Sequence, residues 1–344
     1  MAIAEFKSPA DWRGPNITRR TDWVYQLDAA QVADIEACSR EALARGIDIS
    51  AIDKSNFPMT TLAPVFSQAL ATLENGPGMF LLRGLPVMRL GVEAMRRVYW
   101  AISKHLGTAV AQSRKGDVLG DVRDLGVNSN TLGRGYQNQL SQPFHTDSCD
   151  VVGLMVLRTA KSGGLSKIVS SVAVHNELAR TRQDILQALY TPMDLYSPDR
   201  GDVCWKQPMF AVHEGHFCCK TVGLYARMAQ QKFPAIPRLT PLQLEALQHI
   251  QEIADRPEFC FTMMFQPGDL QLLNSHVTLH CRTGFEDYAE PDRKRHLLRL
   301  WLSPPNSRPL SPLMSEFFCD PRPGAVRGGY PSASGNIVFE SLVE

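Results

Sequence analysis

The chain has no run of 18 uncharged apolar residues, so nothing in it reads as a membrane-spanning helix. Its first residues, Met1 to Lys7, lack the basic-then-apolar pattern of a secretory leader, and a soluble, cytoplasmic protein is expected. An excess of one charge is also missing. Thirty-six Lys and Arg face 35 Asp and Glu, so no strong field draws the protein to nucleic acid or to an anionic membrane surface. A small-molecule partner is the default, and homo-oligomerisation is left open. The eight cysteines show no CxxC spacing, and adjacent Cys218 and Cys219 suit neither a zinc site nor a simple disulfide framework. Reduced thiols are expected, with Cys149 and Cys281 as small apolar filler. Internal repeats and low-complexity blocks are absent too.

What is present is 344 residues, enough to bury a sizeable core. Apolar periodicity predicts helices over about 29–45, 60–74 and 92–106, with a strand at 79–84. Between Thr108 and Pro143 the pattern is lost among Gly, Asn, Ser and Gln, and long irregular stretches are more often functional than idle. Gln112, Asn128, Asn130, Tyr136 and Asn138 there, with the loop at 191–222, are candidate lid and pocket elements. A strand at 151–158, a turn at 161–166, a short strand at 167–170 and a helix at 171–190 follow. Thr240-Pro241-Leu242-Gln243 is a capping box with Pro at the first helical position, opening a helix to about 254. Residues 259–265 and 270–273 read as a hairpin, with strands near 276–281 and 296–302. The Pro-, Gly- and Ser-rich tail after Pro304 reads as a surface extension. The expected fold class is α+β, a jelly-roll core of two packed sheets flanked by helices. One catalytic domain over 1–344 is expected: a helical N-terminal extension (1–75), the core with its helical insert (76–303) and the tail (304–344).

The chemistry concentrates at His145-Thr146-Asp147. On a strand, side chains at i and i+2 share a face, roughly 6.5 Å apart at the backbone, so an imidazole and a carboxylate could converge on one ion. A third ligand has to come from elsewhere, and His280 in the apolar segment 272–282 is the best candidate, with His276 its competitor. Two His and one carboxylate on one face of a metal is the arrangement of non-haem Fe(II) oxygenases. Downstream, Arg295-His296-Leu297-Leu298-Arg299-Leu300-Trp301-Leu302 places Arg295 and Arg299 on one strand face, roughly 13 Å apart. Buried arginines need anions, and the guanidinium fork matches a carboxylate in a way lysine cannot.

In their order along the chain, His145-Thr146-Asp147, Gly163-Gly164-Leu165-Ser166, Pro267-Gly268-Asp269, His280-Cys281-Arg282-Thr283 and Arg295 resemble the taurine dioxygenase (TauD/TfdA) family of Fe(II)- and 2-oxoglutarate-dependent oxygenases, over roughly 76–303. The resemblance implies the double-stranded β-helix fold and a metal triad of His145, Asp147 and His280. It implies 2-oxoglutarate as cosubstrate, with Arg295 on its distal carboxylate and the Ser166 hydroxyl, usually threonine in the family, beside it. Arg299 matches a position some members use to hold an acidic substrate. O2 takes the remaining position on iron, and 2-oxoglutarate leaves as succinate and CO2 while a substrate C–H bond is oxidised. Asp147 fills the coordination site that related halogenases leave vacant, so hydroxylation, desaturation or oxidative cleavage rank above halogenation. Ser275 departs from the family, where relatives often carry asparagine.

Two other classes stay in view. A non-catalytic jelly-roll protein could use the same residues to bind a metal or ligand, and a redox-neutral metalloenzyme could use the triad but has no use for Arg295 and Ser166. His105, His175, His213, His216, His249 and His296 read as surface or core histidines, Glu286 and Asp287 as a solvated loop, and Arg83 and Arg282 as structural ion-pair partners.

Overall fold

The computed structural model describes residues 2–124 and 139–339. Ten strands and seven helices position the site: β1 (Val24–Gln26), α1 (Ala29–Ala44), α2 (Ala63–Asn75), β2 (Met79–Arg83), α3 (Val87–Leu106), β3 (Thr108–Ala109), β4 (Leu119–Val122), β5 (Val151–Arg158), β6 (Ser166–Ser170), α4 (Ser171–Thr181), α5 (Gln183–Tyr190), α6 (Gly223–Lys232), α7 (Pro241–Asp255), β7 (Phe261–Met263), β8 (Leu270–Asn274), β9 (Thr278–Arg282) and β10 (His296–Ser303). Both capping boxes are local chemistry made visible. Asp28 accepts from the Gln31 amide while Gln31 returns to the Asp28 N–H, and Thr240 and Gln243 do the same for α7. The helix expected from residue 92 starts at 87, because Gly91 at φ +74° lets the chain turn within it. The helix expected over 171–190 is two, broken at Arg182, whose φ of −146° is not helical.

The larger sheet has seven strands in the order β1-β2-β8-β5-β10-β3, with β4 also pairing β10; only β1 and β2 run parallel. Period-2 alternation divides β10 cleanly. Leu298, Leu300 and Leu302 join the cluster formed with α1, α2 and α3, while Leu297 and Trp301 belong to the clusters on the opposite face. Arg299 lies between those two residues and shares their face. It therefore points away from the helices, toward the second sheet, β7-β6-β9, which is antiparallel throughout.

The hairpin expected from 259–265 and 270–273 does not form. β7 pairs with β6 in the small sheet and β8 with β2 and β5 in the large one, so the turn between them is a corner from sheet to sheet. Gly268 makes that corner at φ +88°, where a Cβ would come within 2.5 Å of the Leu85 carbonyl oxygen. In the stretch read as irregular, β3 and β4 add two short strands to the large sheet; Asn128, Asn130, Tyr136 and Asn138 lie outside the described residues. The 191–222 loop is two antiparallel hairpins, Met193–Tyr196 with Cys204–Gln207 and Phe210–His213 with His216–Cys219.

The tail is no surface extension. Leu310, Met314, Phe317, Phe318 and Tyr330 are buried in the main apolar cluster, and Arg327 holds the Asp150 carboxylate at 2.9 and 3.1 Å. Its prolines and glycines hide apolar residues that follow no regular period. Among the described residues no helix is long and apolar enough to cross a membrane, and all eight cysteines are free.

Candidate metal centre

His145 is not on a regular strand, as its spacing suggested; it forms an isolated antiparallel bridge with His280 at the end of the small sheet. Each donates its N–H to the other's carbonyl at 3.0 Å, which puts the two imidazoles side by side with centroids 4.4 Å apart. Asp147 follows two residues later and completes the group. One ligand atom from each of His145, Asp147 and His280 lies within 4.8 Å of the others, the one such cluster among the described residues.

The donor set fits a divalent metal on three observations. His145 Nδ1 sits 2.9 Å from the Pro143 carbonyl, so Nδ1 carries the proton and Nε2 keeps its lone pair. Burial pushes His280 down to about 3, with His145 adding to the effect, and burial lowers His145 as well. Both imidazoles are neutral at pH 7, as ligation requires. Burial works against the Asp147 carboxylate, but Arg299, His280, His145 and Lys220 outweigh it and hold its pKa below the usual range. Its Oδ2 is buried without a hydrogen-bond partner among the described residues, 3.7 Å from His280 Nε2.

All six residues singled out from the sequence, His145, Asp147, Ser166, His280, Arg295 and Arg299, line one pocket. Arg295 immediately precedes β10 and is 5% exposed; its N–H donates to Asp287 Oδ1 at 2.8 Å, and its Nη1 is buried with no hydrogen-bond partner among the described residues. Burial, with Arg282 beside it, pulls Arg295 down to about 9, partly offset by Asp287. That is the electrostatics of a cation awaiting an anion. Ser166 Oγ accepts from the Gln271 amide at 3.2 Å. Arg299 donates from Nε to Gln112 Oε1 at 2.6 Å, and its Nη1 is 3.8 Å from Asp147 Oδ1. Gln112 is thus a fully buried brace for Arg299 and no lid element.

Some residues were assigned wrongly or missed. Arg282 lines the pocket, opposite Ser166 in the β9–β6 register, although the sequence had placed it outside the site. Asp287 anchors the Arg295 backbone, whereas Glu286 pairs with Lys161 on the surface. Gln271, the polar residue in Leu-Gln-Leu-Leu, was a legible signal passed over. Lys220 was missed: 1% exposed, it reaches the backbone of the His145–Asp147 segment.

His276, the competing ligand, belongs elsewhere. Its Nε2 donates to Asp150 Oδ1 at 2.7 Å, and its buried Nδ1 has no hydrogen-bond partner among the described residues. Burial drives it down to about 4, Asp150 opposing and Arg327 and Arg308 reinforcing. An unfolded histidine takes its proton near 6.5, so stability is complete above pH 6.5 and falls as pH drops toward 4. Between pH 7.5 and 4.5 this group is expected to remove on the order of 1 to 3 kcal/mol. Urea unfolding of the wild type and His276→Gln at both pH values measures it; equal losses in the two proteins would refute the assignment.

With the geometry in place, comparison with known proteins decides the class. The family model of the taurine catabolism dioxygenase TauD, TfdA family matches residues 40–301. The chain belongs to this family. The match begins upstream of the 76–303 read from the motifs, taking in α2 and the C-terminal end of α1. FR-33289 synthase of Streptomyces rubellomurinus is 31% identical over 313 residues, 86% of this chain and 90% of that protein. Taurine hydroxylase-like protein SAT17 of Stachybotrys chartarum is 27% identical over 302 residues, 84% and 77% of the two chains. Among solved structures, asparagine oxygenase in complex with Fe(II), 2S,3S-3-hydroxyasparagine and succinate superposes with a TM-score of 0.64 at 18% identity, covering 81% of this chain and 93% of that one. Non-heme iron oxygenase OrfP in complex with Fe and alpha-ketoglutaric acid gives 0.60 at 13% identity, with the same coverage. These structures establish the jelly-roll fold. This TauD-family protein is an Fe(II)- and 2-oxoglutarate-dependent dioxygenase acting on a small molecule.

Proposed function

We propose that the protein hydroxylates a C–H bond of a small organic acid, with His145, Asp147 and His280 holding Fe(II) and Arg295 holding the distal carboxylate of 2-oxoglutarate. The observation that carries the reading is the buried, partnerless Nη1 of Arg295 in the same pocket as the triad. A dicarboxylate spanning metal and guanidinium satisfies both ends, and the Ser166 hydroxyl is on hand beside it. When bound, iron and 2-oxoglutarate supply the oxidising chemistry; the chain's part is to orient both partners and exclude water. Hydroxylation is favoured over desaturation or cleavage because the asparagine oxygenase and OrfP structures carry hydroxylated amino acids.

Arg299 is the residue proposed to meet the substrate's acidic group. Gln112 fixes its Nε, so its direction is set before any ligand arrives. The whole chain, 1–344, is proposed to act as one catalytic domain, since the tail packs into the same core as the sheets. Succinate formation should be stimulated by small carboxylates or sulfonates and not by their neutral amides. Arg299→Leu should erase that preference, lowering acid-stimulated turnover by tenfold or more, on the order of a charged hydrogen bond. Equal stimulation by neutral analogues in the wild type would remove the acidic-substrate reading.

A further inference from the structure

The segment Phe144–Ser148 has almost no secondary structure of its own, yet it carries two of the three metal-binding side chains. Tertiary hydrogen bonds hold it instead. Gln251 of α7 brackets Phe144, donating to its carbonyl at 2.8 Å and accepting from its N–H at 2.9 Å, and Thr146 donates its N–H to the Thr221 carbonyl at 3.1 Å. Besides these and the backbone bridge of His145 to His280, a cation ties the segment. Lys220 Nζ reaches the carbonyl of Asp147 at 3.0 Å, Ser148 Oγ at 3.0 Å and the Thr146 carbonyl at 3.4 Å. Ser148 Oγ is linked onward to the Tyr330 hydroxyl at 3.1 Å, and that to Tyr225 at 2.9 Å.

A fully buried ammonium with no ion pair among the described residues is costly, and a neutral donor could tie backbone carbonyls at less expense. Three oxygens of one metal-binding segment converge on it, and Asp147 is the carboxylate that acts on it most strongly. Resting on the reading that His145, Asp147 and His280 hold the metal, we infer that Lys220 is a positioning residue: it fixes the backbone on both sides of the Asp147 Cα and so aims the carboxylate at the metal. The helical insert between β6 and β7 thereby controls the centre from outside the jelly roll.

Titrating the metal-free full chain with Co(II), read by visible absorption, tests this in the wild type, Lys220→Met and Ser148→Ala. Lys220→Met is expected to weaken Co(II) binding at least tenfold, as loss of outer partners of metal ligands does. Ser148→Ala, which deletes one acceptor of the ammonium, is expected to weaken it about threefold, less than Lys220→Met because the ties to the Thr146 and Asp147 carbonyls remain. A purely structural lysine lowers the unfolding temperature and leaves the Co(II) affinity of the folded protein unchanged; a lysine acting only as a nearby charge makes binding tighter on removal. Either result overturns the proposal. If Lys220→Met fails to fold, unchanged affinity in Ser148→Ala overturns it alone. Failure of the metal reading is separately visible, because the wild type would then bind no Co(II), and the role of Lys220 falls with it.

Discussion

His280→Ala is expected to abolish iron-dependent succinate formation, with a loss of at least about 100-fold, beyond the range typical of outer partners of a metal site. Two ligands remain in that variant, and both belong to the loosely structured segment 144–148, so no strand residue is left to anchor the ion. The imidazole is neutral and needs no proton loss before it binds, which removes any compensation from raising the pH. The neighbouring His276→Ala, four residues earlier on the same stretch, should lose stability and retain metal binding, because its Nε2 serves Asp150. Metal content by atomic emission and succinate by chromatography measure both variants. Full turnover in His280→Ala, or metal loss confined to His276→Ala, would exchange the two assignments.

Arg295→Ala should raise the apparent KM for 2-oxoglutarate by tenfold or more, matching the roughly 1.5 to 3 kcal/mol of a hydrogen bond to a charged group. The free protein gives a second reading. Arg295 and Arg282 sit 5.2 and 4.6 Å from the Phe285 ring and repel one another, each pulled down by burial, Arg282 to about 10. Relieving that repulsion stabilises the fold, so 2-oxoglutarate should raise the unfolding temperature of the wild type. Arg295→Ala is expected to lose that shift even where the metal still binds. An unchanged KM together with an unchanged thermal shift would move the cosubstrate elsewhere in the pocket.

Much of this site was legible in the sequence because its chemistry is carried by residue types with few structural uses in those places. An imidazole and a carboxylate at i and i+2, and arginines at the start of and within a Leu-rich strand, have no easy packing role. The Thr240–Gln243 capping box was legible for the same reason, being short-range and chemically specific. What failed was long-range. Residues 259–265 and 270–273 look like a hairpin by spacing, and only the second sheet's demand for a partner to β6 separates them. The tail's burial depends on Asp150 and the apolar cluster, hundreds of residues away in some contacts, and composition carries no trace of that. Lys220 has no local pattern at all; its importance comes from the segment it touches.

Anaerobic titration of Fe(II) into the metal-free chain, followed by 2-oxoglutarate, goes straight to the centre proposed at His145, Asp147 and His280. One iron per chain should bind, and a visible charge-transfer band should grow in only when the keto acid is added, since its carboxylate and oxo oxygens must then share the metal with the three side chains. Absence of stoichiometric iron, or iron whose spectrum is indifferent to 2-oxoglutarate, would contradict the assignment of this pocket as the oxygenase centre.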